Sequence, residues 1–334
     1  MERIIIGTRA SQLAMTQTYQ AIALLRRQWP DLEIVIAQIH TSGDRQTNVP
    51  LTQIGGDGVF VTEIEHALRE GRIDLAVHSL KDLPTTQPDG LRLVVVGERE
   101  DVRDVFVANE AFHIAEGRLL PVVAHPRQGA SLRIGTCSLR RMAQMRALSP
   151  DARILPLRGN VDTRLRKLEA GDYDGIILAA AGLHRLEMQH RLAGRLLYLP
   201  VEAMLPAPGQ GALALEIRDE PEMRALLAPL QNVVLQAATA AERMFMRRLG
   251  AGCYLPVGAY GDVRAGMITL QGLVISVDGQ RRISMQQSMP WTPGGGIELA
   301  EQLGERLAEH ALAQGAAEII ATMLNVREQE RGRV

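Results

Sequence analysis

Five segments of this sequence gather side chains able to do chemistry. In His78-Ser-Leu-Lys-Asp-Leu-Pro84, which follows the apolar run 73–77, a carboxylate sits beside a cation. Lys81 favours the ionised form of Asp82, so this is a carboxylate whose charge matters; a polar turn capped by an aspartate would read the same way. In Leu249-Gly-Ala-Gly-Cys-Tyr-Leu-Pro-Val-Gly258, two glycines leave the thiol of Cys253 sterically open. A thiolate is the soft nucleophile that forms a stable thioether with an electrophilic carbon, although an isolated cysteine is more often a small buried apolar residue. Gly135-Thr-Cys-Ser-Leu-Arg-Arg141 and Leu157-Arg-Gly-Asn-Val-Asp-Thr-Arg164 place Arg140, Arg141, Arg158 and Arg164 at two predicted helix starts. Arginine opposes the helix dipole there, so the placement calls for an anion with several negative groups; solvated first turns are the plainer alternative. Gly7-Thr-Arg-Ala-Ser11 joins a strand to a helix, where Arg9, Ser11 and free N–H groups would hold a carboxylate or phosphate. An ordinary cap with a solvated arginine is again the alternative.

Composition sets the weight each arginine carries. Of 37 basic residues only Lys81 and Lys167 are lysine, so arginine is the default cation and clusters matter more than single residues. The formal net charge of −1 argues against a generally basic nucleic-acid binder. Cys137 and Cys253 stand far apart in a chain whose start reads as a β-strand and not as a signal peptide. A structural disulfide is not expected, a reduced cytoplasmic setting is the default, and no metal-ligand spacing is recognisable. No run approaches the length needed to cross a membrane.

These motifs need strand ends to display them. Hydrophobic periodicity predicts strands at 3–8, 33–39, 73–77 and 91–96, with helices from Ser11 to 28 and over 59–70. Between them, residues 41–58 form a long polar loop of the kind used as a lid or left disordered. A second α/β unit begins near Asp104, with strands at 132–136, 153–155 and 175–179 and helices at 138–148 and 161–170; residues 110–129 read as an irregular surface insertion. After the breaker-rich 205–211, a strand at 212–217 suggests a return to the first sheet, with a ligand cleft between two lobes. The last part reads as a small α+β unit: a helix at 232–249, strands at 257–260, 268–277 and 282–288, a helix ending near Gly315, and a frayed tail from 327. The expected domains are 1–102 with 208–228, then 103–207, then 229–334.

Taken together, the segments at 6–14, 75–84, 135–141, 157–164, 179–186, 206–212 and 250–258 resemble the porphobilinogen deaminase (hydroxymethylbilane synthase) family from end to end. The resemblance implies two periplasmic-binding-protein-like α/β lobes with an interlobe cleft and a small α+β C-terminal domain. It implies a transferase that joins four porphobilinogen units head to tail, releasing ammonia, on a dipyrromethane cofactor held by Cys253 through a thioether. Asp82 would be the catalytic carboxylate. Ser79, Lys81, Thr136, Ser138, Arg140, Arg141, Arg158 and Arg164 would bind the cofactor, and Arg9, Ser11, Arg158, Arg164 and Arg185 the substrate's acetate and propionate groups. Porphobilinogen loses ammonia to give a cation, which a preorganised carboxylate stabilises. The resemblance further implies a monomer in the cytoplasm, no metal, no nucleic-acid or membrane partner, and a product passed to the next tetrapyrrole-pathway enzyme.

The chain departs from the family where lysines are common, at Gln53 and Asp57, which puts a cationic lid role in doubt. Cys137 replaces a common serine and is expected to have no catalytic part. Two rival readings remain. A two-lobed anion-binding protein would share fold and arginines but would not need Asp82 or Cys253. A cysteine-nucleophile acyl transferase would need a general base, and 249–260 holds no histidine.

Overall fold

Apolar runs of five or six residues become the central strands of two separate five-stranded sheets. The computed structural model describes residues 2–41, 61–122, 131–250 and 255–323. The first sheet runs β2 (Glu33–Gln38), β1 (Arg3–Thr8), β3 (Leu75–Ser79), β12 (Leu213–Arg218), β4 (Leu91–Val96). The second runs β11 (Leu196–Leu199), β5 (Asp104–Ala108), β10 (Gly175–Ala179), β8 (Arg133–Gly135), β9 (Arg153–Leu155). Each sheet contains one reversed strand, β12 in the first and β5 in the second. Both follow directly on a crossing between lobes, because β4 leads into β5 and β11 leads into β12.

Helices cover the sheets because their apolar faces need burial. In the first lobe, α1 (Gln12–Gln28) is capped by the Ser11 side chain, which accepts from the Ala14 amide at 3.3 Å. It packs Ala21, Ile22 and Leu25 onto β1, β3 and β12. On the opposite face, α2 (Thr62–Arg69) buries Ile64, Ala67 and Leu68 against Ile73 and Ala76. In the second lobe, α3 (Leu139–Leu148), α4 (Val161–Glu169) and the short α5 (Ala180–Arg185) each follow a strand end. After α6 (Pro221–Leu227), the third unit pairs α7 (Val233–Arg248) and α8 (Gly296–Ala311) with an antiparallel sheet of β13 (Val257–Arg264), β14 (Met267–Ile275) and β15 (Arg282–Pro290).

The two crossings lie against each other. The Glu100 amide donates to the Gly211 carbonyl at 3.1 Å, and Arg99 Nε donates to the Gln210 carbonyl at 3.0 Å. Gly211 is required: its φ is +88°, and a Cβ would stand 2.3 Å from the Glu100 oxygen. The fully buried Glu242 of α7 joins both crossings to the third unit. It pairs with Arg99 at 2.7 and 3.1 Å and accepts from the amides of Gly209 (2.6 Å) and Gly261 (2.7 Å).

Several elements differ from the sequence reading. β5 and β11 were not expected as strands, and α5 was not expected as a helix. All five β5 residues are buried, so the strand lacks the alternation that marks a half-exposed one. β3 runs to Ser79, beyond the expected Val77, because Ser79 pairs with Leu213 of β12. The stretch expected to be irregular contains a hairpin, β6 (Phe112–Ala115) and β7 (Arg118–Pro121), turning at Glu116 and Gly117 with φ of 50° and 72°. The last helical segment continues past Gly315, which interrupts it with φ +100°. Most of the 41–58 loop, with Gln53 and Asp57, lies outside the described residues, as does the tail from 327.

Candidate active site

β3 ends at Ser79, and Leu80–Asp82 forms a single 3-10 turn that carries the chain out of the sheet. Leu80 is buried and anchors this turn, while Asp82 is exposed. Arg9, Ser11, Gln17, Ser79 and Asp82 line one concave pocket at the ends of β1 and β3, the position at which open α/β sheets bind ligands. The Ser79 hydroxyl and the Gln17 side chain pair at 2.8 Å. Gln17 was not singled out from sequence; lying on the face of α1 that packs on β3, six residues past the cap, was its only signal.

From the other lobe come the arginines. Arg140 and Arg141 stand in the first turn of α3, whose cap is Ser138, and Arg164 in the first turn of α4, whose cap is Asn160. Arg158 precedes that cap by two residues. The anion that Arg140 and Arg141 were expected to seek is in part internal. Asp104, at the start of β5 and fully buried, accepts from Arg140 Nη1 at 2.7 Å and from Arg141 Nη2 and Nε at 2.7 and 3.1 Å. Burial alone would raise the Asp104 pKa, but the two guanidinium groups hold it well below the usual carboxylate range. Thr136 is buried and its hydroxyl accepts the Ser138 amide at 3.2 Å, a local structural bond.

Lys81 is the link between the lobes. Its Nζ donates to Gln210 Oε1 at 3.3 Å, and the Gln210 amide donates to Asp104 at 3.0 Å and to the Val102 carbonyl at 2.7 Å. Gln210 is fully buried in the second crossing, and sequence reading passed over it as part of a breaker-rich connection. Burial, then the charge of Arg141, lowers the Lys81 pKa to about 8. Asp82 and Asp104 offset part of this effect. Arg164 is pushed down to about 10 by burial and by Arg141, with Cys137 and Asp82 opposing. Nη1 of Arg158 is buried and has no hydrogen-bond partner among the described residues. Arg185, at the end of α5, donates to the Gly211 carbonyl at 2.9 Å, and burial lowers its pKa. Cys137 is a free, half-buried thiol. Cys253 lies outside the described residues.

Lys81, Arg140, Arg141, Arg158 and Arg164 thus outnumber the carboxylates they face. Three of them, Lys81, Arg140 and Arg164, hold their protons less tightly than usual because of burial, and Arg158 has a buried donor without an acceptor among the described residues. Such a set is complementary to a ligand bearing several carboxylates. Fold and site therefore define a two-lobed α/β protein with a surplus of cations near an exposed carboxylate.

Comparison with known proteins gives the family. The profile described as "Porphobilinogen deaminase, dipyromethane cofactor binding domain" matches residues 4–225, and "Porphobilinogen deaminase, C-terminal domain" matches residues 236–313. A porphobilinogen deaminase of Chromobacterium violaceum is 46% identical over 325 residues, covering 97% of this chain and 99% of the relative. One of Nitrosomonas europaea is 42% identical over 323 residues, covering 96% and 98%. Among solved structures, the periplasmic aliphatic sulphonate binding protein SsuA from Escherichia coli aligns with 93% of this chain and 88% of its own, at 14% identity and a TM-score of 0.37. The chain belongs to the porphobilinogen deaminase family.

Proposed function

We propose that Asp82 is the catalytic carboxylate of this chain and that Cys253 is the attachment point of its dipyrromethane. The reaction is that of the family: four porphobilinogen molecules are joined head to tail, with release of ammonia, into linear hydroxymethylbilane for tetrapyrrole and haem biosynthesis. The chain is accordingly a transferase. Bound dipyrromethane supplies the free pyrrole α-carbon on which assembly starts.

The chain's own residues account for the rest. In each porphobilinogen the aminomethyl C–N bond breaks as ammonia leaves, and positive charge spreads over the methylene carbon and the pyrrole N–H. A carboxylate fixed beside that charge stabilises it as it develops, the largest single term in many enzymes. After the new C–C bond forms, the attacked α-carbon must lose its proton, and the Asp82 carboxylate is placed to accept it. Lys81, Arg140, Arg141, Arg158 and Arg164 would hold the carboxylates of the cofactor. Arg9, Ser11 and Arg185, with Arg158 and Arg164, would hold those of the incoming ring. Ser79, Thr136 and Ser138 shape the two strand ends from which these groups project. Pairing two reactants in one cleft turns a bimolecular step into an effectively unimolecular one.

The observation that carries this reading is a single exposed carboxylate, Asp82, facing a surplus of buried cations across two lobes. Its test is the denatured mass of purified protein with and without Cys253→Ser, together with turnover by Asp82→Asn. A two-pyrrole mass increment that vanishes in the serine variant supports the tether, and an active, unmodified wild type overturns it. Loss of nearly all turnover in Asp82→Asn, with the cofactor mass retained, supports the carboxylate's role. We also propose the domain boundaries 102/103, 207/208 and 228/229, and a cytoplasmic monomer that hands its product to the next enzyme of the pathway.

A further inference from the structure

The short turn bearing Asp82 is held at both ends by groups outside its own strand. Upstream, the Leu80 amide donates to the Ala212 carbonyl at 3.1 Å. The Leu80 side chain fits where a Cβ on Gly209 would come within 2.9 Å of it. Downstream, the carbonyls of Leu83 and Pro84 accept from Arg243 of α7, Nη1 to Leu83 at 3.3 Å and Nη2 to Pro84 at 2.5 Å. Pro84 has no N–H, so only its carbonyl can be grasped, and a two-pronged guanidinium suits a pair of successive carbonyls. The buried Leu83 side chain belongs to the same apolar cluster as Leu235, two turns earlier on α7.

α7 is well fixed to the first lobe for this purpose. Its cap residue Asn232 bonds the Gly97 carbonyl through Nδ2 at 2.8 Å and the Val95 carbonyl through its amide at 2.9 Å. Glu242, adjacent to Arg243, grips both crossings. A helix anchored at those points cannot slide along its axis without breaking buried, charge-assisted bonds.

We propose that Arg243 is a positioning residue for Asp82: by clamping the two carbonyls that follow it, α7 of the C-terminal unit sets where the catalytic carboxylate stands in the cleft. The proposal rests on the reading of Asp82 given above. Arg243 touches neither substrate nor cofactor in this role; it acts through the backbone of residues 82–84. Because displacements of about 1 Å in a reacting group cost on the order of 100-fold in rate, loss of the clamp is expected in kcat and not in KM.

The experiment compares Arg243→Gln and Arg243→Lys in the full-length, cofactor-loaded protein. For Arg243→Gln, kcat falls about 10- to 100-fold while KM for porphobilinogen stays within about two-fold. The denatured mass still carries the two-pyrrole increment, and the melting curve is close to wild type. Arg243→Lys, which keeps one charged donor, recovers part of kcat. In an Asp82→Glu background the glutamine substitution costs much less than in wild type, since the carboxylate is already misplaced. A kcat unchanged in Arg243→Gln overturns the proposal. So does a fall in kcat that comes with lost cofactor mass, a lowered melting temperature and no rescue by lysine. Asp82→Asn separates the two claims. Normal turnover by that variant removes the reading of Asp82 itself, whereas an inactive Asp82→Asn beside an unimpaired Arg243→Gln removes only the clamp.

Discussion

The proton on Lys81 is the most direct reporter of what the cleft is built to hold. The protein's own groups bring this ammonium to a pKa of about 8 from an ordinary 10.5, first through burial and then through Arg141. At pH 8 about half of such amines are uncharged, against roughly 0.3% at the ordinary value, so nucleophilic labelling should run ~100-fold faster than for an unperturbed lysine of equal access. Carboxylates of a tethered dipyrromethane would add negative charge beside the ammonium and raise its pKa back toward the ordinary value. The perturbation is Cys253→Ser, which leaves only the protein's own groups around Lys81. The assay is acetic anhydride labelling from pH 6 to 11, read by peptide mass spectrometry. The chain suits it, because Lys81 and Lys167 are its only lysines and Lys167 serves as the internal reference. The expected outcome is a labelling midpoint near 8 in the serine variant and a clearly higher midpoint in the loaded protein. Identical midpoints in the two forms, or a midpoint at 10 in the serine variant, would refute the reasoning. Stability carries the same signature. Since the folded chain holds this proton less tightly than the unfolded chain, charging Lys81 costs about 3 kcal/mol at pH below 8. That cost fades as pH rises from 8 to 10.5, so the serine variant should gain stability over that interval and the loaded protein should not.

Further expectations follow from the buried pairs and the crossings. Asp104→Ala leaves Arg140 and Arg141 without their internal anion and should cost about 3–5 kcal/mol in urea unfolding. Because its folded pKa is depressed, Asp104 contributes its stability at any pH above about 4, and the contribution is lost as acid brings the pH down through the folded value; the alanine variant should lack that acid-sensitive component. Among the described residues, Arg99→Leu leaves the Glu242 carboxylate with only the amides of Gly209 and Gly261, and a loss of about 2–4 kcal/mol is expected in the same assay. Gly211→Ala forces a Cβ to 2.3 Å from the Glu100 oxygen at φ +88° and should lower both the melting temperature and kcat, whereas Gly171→Ala, at φ +81° but with nothing within 4 Å of the added Cβ, should lower the melting temperature and leave kcat unchanged.

What the sequence made legible was local. A Ser11 cap marks a helix start by a mechanism that needs no tertiary context, and it forms as expected; Ser138 and Asn160 cap the two helices expected to start beside them. β5 was missed because a strand buried on both faces carries no alternation, and α5 because six residues with no cap residue give a period-based reading nothing to count. The same blindness hid Asp104. A single charge heading an otherwise apolar strand is the mark of a buried ion pair, but its partners, 36 and 37 residues away, come into view only when the sheet is assembled. Gln210 and Arg243 were out of reach for that reason too, since each acts through a bond spanning more than a hundred residues.

The reversed strand β12 has a consequence for how the chain emerges from the ribosome. Its six residues lie between β3 and β4, yet they are made only after the whole of the second lobe. Until residue 218 has cleared the exit tunnel, β3 and β4 have unpaired edges, and His78 lacks the Glu216 carboxylate it meets at 3.1 Å. Such edges invite pairing with other chains. Nascent molecules stalled before β12 should therefore be the ones most dependent on chaperones, and the second lobe, whose five sheet strands all come from the single stretch 104–199, should be the first to gain protection from proteolysis.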